Sequence, residues 1–125
     1  MSDGAHAVIT NAFPRWDRKL LFKILNNIHD VVMVIDTETT IVYANEAYAK
    51  ILGVPVAKVL GRRLDKIEPK AASIELLRTG KPYKVGEDYL DSLGIDVVGS
   101  SFPLFNGENI IGCVSTFKNI TEVVK

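Results

Sequence analysis

Residues 107–122 read Gly107-Glu108-Asn109-Ile110-Ile111-Gly112-Cys113-Val114-Ser115-Thr116-Phe117-Lys118-Asn119-Ile120-Thr121-Glu122: a turn, an apolar strand, and a polar Asn-x-Thr-Glu sequence directly after it. Two more β-rich runs, 31–36 and 41–45, are separated only by Thr37-Glu38-Thr39-Thr40. That is a hairpin-length connection, so the two runs read as adjacent antiparallel strands. Residues 83–91 and 95–105 supply two further strands, with Ser92, Gly94, Asn106 and Gly107 as turn residues. Between the second and third strands the pattern becomes helical, with Glu46–Leu52 before Gly53, Val56–Leu60 before Gly61, and Ser73–Thr79 before Gly80. A glycine just past the last helical residue is a common stop signal. The order helix, two strands, short helices, three strands defines an α+β class. Its simplest packing is a five-stranded antiparallel sheet with the short helices on one face.

Upstream of the first strand, Trp16, Leu20, Leu21, Ile24, Leu25 and Ile28 recur at helical spacing, with Arg15, Arg18, Lys19, Lys23 and Asn26 mostly opposite. An amphipathic helix over 14–29 is expected, and Pro14 suits its first position. Residues 1–13 show no period and read as a flexible extension. Residues 30–122 are expected to form one domain, and 123–125 are expected to begin a linker. A chain of 125 residues suits a single domain, which buries roughly two thirds of the surface of its unfolded chain. Fifteen basic and fifteen acidic side chains cancel, so no overall field favours nucleic acid or an anionic membrane. Direct binding to either is not expected. The lone Cys113 excludes an internal disulfide, no Cys/His cluster has zinc-site spacing, and no run approaches about 20 apolar residues. A cytoplasmic setting fits.

Several pieces together resemble the PAS (sensory box) domain family. They are the strand ending in Asp36, Tyr43-Ala44-Asn45 leading into Glu46-Ala47, Gly53, Gly61-Arg62, Leu77-Arg78-Thr79-Gly80-Lys81-Pro82, Pro103, Gly107 and Ile111-Gly112, in that order. The last strand of a PAS domain runs into an Asp-x-Thr signal-coupling motif, and here the Asp is Asn119. Thr79-Gly80-Lys81-Pro82 and the ending from Pro103 to Glu122 look most like the N-terminal PAS modules of sigma-54-dependent transcriptional activators. Similar modules precede histidine kinases and diguanylate cyclases. The resemblance implies a non-catalytic module that senses a signal and dimerises in a bacterial regulator, with transcription control as the first expectation. The alternative is a ligand-free dimerisation module of a kinase or cyclase.

In PAS folds the helices cover one sheet face and any ligand sits between them. Counted back from Asn119 in the register the resemblance implies, alternation turns Phe117, Ser115, Cys113 and Ile111 to that face, with Val97, Gly99 and Ser101 beside them. Met33, Ile35, Ile41 and Tyr43 join from the first two strands. The register assumes a three-residue loop, Phe105-Asn106-Gly107, with 111 facing 101; a two-residue Asn106-Gly107 loop would face 111 with 102. Gly99, Ser101, Cys113 and Ser115 then form a patch of small side chains, and the expected ligand-binding set is Met33, Ile35, Tyr43, Asn45, Gly99, Ser101, Cys113, Ser115 and Phe117. Otherwise Leu52, Leu60, Leu76 or Leu77 fills the space. Asn45 is also expected to cap the following helix.

Haem-binding relatives ligate iron through a histidine in the helical segment, and residues 46–80 contain none. Photoadduct-forming relatives need a cysteine there, whereas Cys113 is on the last strand. Neither haem nor a photoactive flavin is expected. His6 and His29 have no partners at catalytic or metal-site spacing, and Cys113 reads as a small buried hydrophobe. Arg62-Arg63 with Lys58 and Lys66 reads as a solvated cationic face. Asn119, Thr121 and Glu122 are the expected signal-coupling residues, the plainer alternative being a helix cap at Thr121. Val32, Val34, Val98, Phe102, Ile110 and Val114 would make the outer sheet face too apolar to leave bare. The stripe of Trp16, Leu20, Leu21, Ile24 and Leu25 is the expected cover and homodimer interface.

Overall fold

A computed structural model describes residues 18–81 and 86–121. Trp16, His6, Glu122 and the extension 1–13 lie outside the described residues. Helix α1 (Arg18–Asn26) leads into β1 (Val31–Asp36) and β2 (Ile41–Ala44). Helix α2 (Glu46–Leu52), a 3-10 turn (Val56–Lys58), α3 (Leu64–Ile67) and α4 (Ala72–Thr79) follow. Strands β3 (Gly86–Leu90), β4 (Ile95–Asn106) and β5 (Asn109–Asn119) complete one antiparallel sheet of order β2-β1-β5-β4-β3. This is the expected α+β architecture. The short α3 was not anticipated; a four-residue helix has no periodicity to detect.

Strand β5 is central because it pairs on both sides, with β1 over Val31–Asp36 and with β4 from Val97 to Asn106. On the helix side, Val31, Met33, Ile35, Ile41, Leu76 and Cys113 belong to one buried cluster. Val32, on the opposite face, is buried as well. Residues buried on both faces explain why β1 reads as a continuous apolar run rather than an alternating one.

Two bulges move residues from their expected faces. In β2, Val34 pairs with Tyr43 but Ile35 pairs with Ile41, so Val42 is an extra residue. Ile41 stays on the helix side, whereas Tyr43 turns to the other face, where Phe22 of α1 stacks on it at 5.2 Å. In β5, Leu104 pairs with Gly112 and Phe105 with Ile110, leaving Ile111 as the extra residue. Ile111 is therefore 51% exposed instead of inward-facing. Ile110 lies toward the helices, since a Cβ on Gly80 after α4 would stand 3.8 Å from its Cδ1.

The β4–β5 turn is the two-residue Gly107-Glu108, not the expected three-residue loop. Gly107 sits at φ 64, a backbone region that favours glycine and opens a type II′ turn. With the bulge, Ser101 pairs with Ser115 where the three-residue loop would have given Ile111, a displacement of four residues. Four is even, so every side chain on β4 keeps its expected face.

On the outer face, Phe102 is 44% exposed, and Leu21, Phe22 and Ile24 of α1 are exposed too. Leu20 and Leu25 are half-buried. Within the described chain, α1 therefore covers this face only in part.

Candidate functional site: a cavity over the sheet centre

Alternation along β4 and β5 turns Val97, Gly99, Ser101, Ser115 and Phe117 to the helix side, beside Met33 of β1. Between these residues and Tyr48, Leu64, Glu68 and Ser73 from the helical segment lies a cavity of about 70 Å³. Tyr48 stands edge-on to Phe117 with ring centroids 6.3 Å apart and forms an aromatic wall. The hydroxyls of Ser101 and Ser115 face each other at 2.8 Å across the strand pair. Leu76 packs with Ile35 and Cys113 in the core cluster and does not line the cavity, and Leu60 is exposed. The expected leucine filling is thus confined to one half of the inner face.

Gly99 leaves room less for a ligand than for the neighbouring strand. A Cβ there would come within 2.0 Å of the Thr116 carbonyl oxygen and 2.6 Å of the Phe117 Cβ, so only glycine allows β4 and β5 to approach this closely.

The site is not purely apolar. Glu68 is only 7% exposed and lines the cavity. Its carboxylate accepts the Ser92 backbone N–H at 3.2 and 3.3 Å and the Ser92 hydroxyl, which ties the end of α3 to the β3–β4 turn. Burial, and then the Glu68 charge, push the Tyr48 phenol above its usual range, which keeps it neutral. Asp88 stands exposed at the cavity rim. No lysine or arginine lines the cavity among the described residues. Arg63 points elsewhere: it donates to Asp65 at 2.6 Å, and that bond holds the Asp65 carboxyl below its usual range.

Of the nine expected ligand residues, Met33, Gly99, Ser101, Ser115 and Phe117 line the cavity. Ile35 and Cys113 are packed in the adjoining core, and burial pushes the Cys113 thiol up to about 11. Tyr43 is on the opposite face because of the β2 bulge. Asn45 is neither a ligand contact nor a side-chain cap of α2. It is 0% exposed and knits backbone together: Oδ1 accepts the Val32 N–H at 3.0 Å, while Nδ2 donates to the carbonyls of Asp30 (2.9 Å), Leu25 (3.2 Å) and Ile28 (3.4 Å). Sequence reasoning missed Glu68. Its only local signal is Pro69, which disfavours helix at the preceding residue and marks the end of α3 but says nothing of burial.

The cavity adjoins the chain's exit. Asn119 Oδ1 accepts the Thr121 N–H at 3.0 Å, and Thr121 Oγ1 accepts the Asp96 N–H at 2.8 Å. The Ile120 N–H donates to the Asp96 carbonyl at 2.9 Å. Thr121 is therefore fastened to β4 through Asp96, next to Val97 in the cavity wall, whereas the helix it was expected to cap lies outside the described residues. Asp96 as the receiving residue was invisible in sequence, because the contact spans 25 residues.

Residues 29–122 match the PAS domain family, and the chain belongs to it. PAS domains are generally sensory and non-catalytic, and they commonly dimerise within multidomain regulators. The chain is 30% identical over 98 residues to a probable C4-dicarboxylate sensor kinase of Halalkalibacterium halodurans, a match spanning 78% of this chain and 18% of that protein. Its fold is similar to the PAS domain of an HTR-like protein from Haloarcula marismortui (TM-score 0.62, 16% identity, 82% of this chain and 96% of that one). It is also similar to the PAS domain of nitrogen regulation protein NR(II) from Vibrio parahaemolyticus (TM-score 0.62, 17% identity, 81% and 98%). Among the described residues, no helix is long and apolar enough to cross a membrane.

Proposed function

We propose that this chain is the cytoplasmic, dimerising input module of a bacterial sensor kinase, in which a small molecule held over the sheet centre shifts the Asp96–Thr121 fastening and so biases an attached effector. The observation that carries this reading is the continuity of cavity and exit. Ser115 and Phe117 line the cavity four and two residues before Asn119, and Val97 lines it next to Asp96. A ligand that displaces these walls moves both sides of the exit together, since neighbouring residues of a paired strand cannot move independently. The kinase setting is favoured by the sensor kinase that the chain is 30% identical to. The sigma-54-dependent activator, the first expectation from sequence, becomes the second reading, favoured by Thr79-Gly80-Lys81-Pro82 and the ending from Pro103 onward.

The ligand in that kinase's name does not transfer easily. A C4-dicarboxylate carries two negative charges, and the cavity offers the carboxylates of Glu68 and Asp88 with no cation among the described residues. The volume of about 70 Å³ is also small for it; room for a single water takes roughly 10–15 Å³ measured in this way.

Native mass spectrometry of the chain, set beside a denaturing spectrum, tests assembly and ligand retention together. The expected result is a dimer carrying excess mass that denaturation removes. A bare monomer that also fails to take up added small molecules would refute the reading. The residues after Lys125 in the parent decide the effector: a histidine-bearing dimerisation helix marks a kinase, and GxxxxGK[ST] marks an activator.

A further inference from the structure

We infer that the cavity selects a small cationic ligand, a short-chain primary ammonium, with Glu68 as the residue that sets the charge preference. This rests on the cavity being the sensing site. A buried carboxylate is costly unless it is paired with a positive group or fully hydrogen-bonded. Among the described residues, Glu68 has neither arrangement in full: Ser92 alone donates to its carboxylate, and the ion pairs are Arg63–Asp65, Arg78–Glu75 and Lys118–Asp30. A carboxylate has about four acceptor sites, so acceptor capacity remains on this cavity-lining residue.

The rest of the wall suits the same ligand. An ammonium group has three donors. One goes to Glu68, and the hydroxyl oxygens of Ser73, Ser101 and Ser115 are available acceptors for the others. Tyr48 and Phe117 line the cavity with aromatic rings, whose π-systems attract a desolvated cation that reaches a ring face. Met33 and Leu64 offer apolar surface to a short alkyl body. Asp88 at the rim adds negative potential along the entry path. The cavity holds the equivalent of roughly five to seven waters, enough for a ligand of four or five heavy atoms.

The test uses the 125-residue chain and three three-carbon probes at matched ionic strength: n-propylammonium, 1-propanol and propionate. The amide resonances of Ser101, Ser115 and Phe117 are followed through each titration. Propylammonium is expected to shift them with an affinity at least tenfold above that of propanol, and propionate to leave them in place. Glu68→Gln should weaken propylammonium at least tenfold while leaving propanol within twofold. Propionate binding as well as propylammonium overturns the inference, as does propylammonium affinity that survives in a folded Glu68→Gln protein. Should that variant not fold, the three probes on the unsubstituted chain decide alone. Propanol binding as tightly as propylammonium removes the charge preference but leaves the sensing cavity intact. If no probe moves the three amides, the sensing reading falls together with the inference.

Discussion

The inner face of the sheet has two halves built on different rules. Around Ile35, Ile41, Leu76 and Cys113 the side chains are almost fully buried and fill their own space. Between Val97 and Phe117 the same sheet carries the small Gly99, Ser101 and Ser115 beneath a cavity that a buried carboxylate also lines. One half is held together by shape and the other by hydrogen bonds between polar groups. The difference explains how a domain of this size keeps an interior void: the packed half supplies rigidity, and the open half gives up part of its own for a vacancy.

The largest effect expected from breaking this division is in the packed half. Ile35→Ala should destabilise the domain by about 3 kcal/mol in urea denaturation, since the site is closed on all sides and cannot collapse. A loss below about 1 kcal/mol would mean that the two halves are equally loose. A smaller effect belongs to the open half. Ser115→Ala strips the Ser101 hydroxyl of its 2.8 Å partner and should cost about 1 kcal/mol. Adding Ser101→Ala should recover most of that loss, because removing both partners leaves no orphan. A double variant that loses as much as the two single variants summed would show that the hydroxyls act separately.

The smallest effect concerns pH. The Cys113 thiol, ordinarily near 9.0, is pushed up to about 11 by burial. Between those values the folded chain keeps a proton that the unfolded chain has released, so this group's contribution to stability falls as pH rises through the window. The melting temperature should therefore drop more steeply from pH 9 to 11 in the unsubstituted chain than in Cys113→Ala. Identical slopes would place that thiol in contact with solvent rather than in the packed half.

Much of this division was legible in sequence, for a geometric reason. A strand has a side-chain period of two, so once the family's register turns Phe117 inward the faces of Ser115 and Ser101 follow from parity, even though the pairing expected from the turn was displaced by four residues. Parity fails where a bulge intervenes, and that is where Tyr43 and Ile111 were misplaced. Neither bulge has a glycine or proline at the extra residue to announce it. The polar residues were the least legible. Asn45 has the sequence context of a helix cap, and only the arrival of α1 and β1 beside it turns its amide toward four backbone groups. Glu68 looks like any surface acid until the β3–β4 turn closes over it.

The bonds of Asn45 reach main-chain atoms of Leu25, Ile28, Asp30 and Val32, never their side chains. Every residue type except proline offers the same main-chain groups. The exposed stripe of α1 is thus free to change its chemistry through mutation while its junction with the sheet stays put. A lineage of such proteins can acquire new pairing partners without relearning how to fold, which is one physical route by which gene duplicates come to ignore each other.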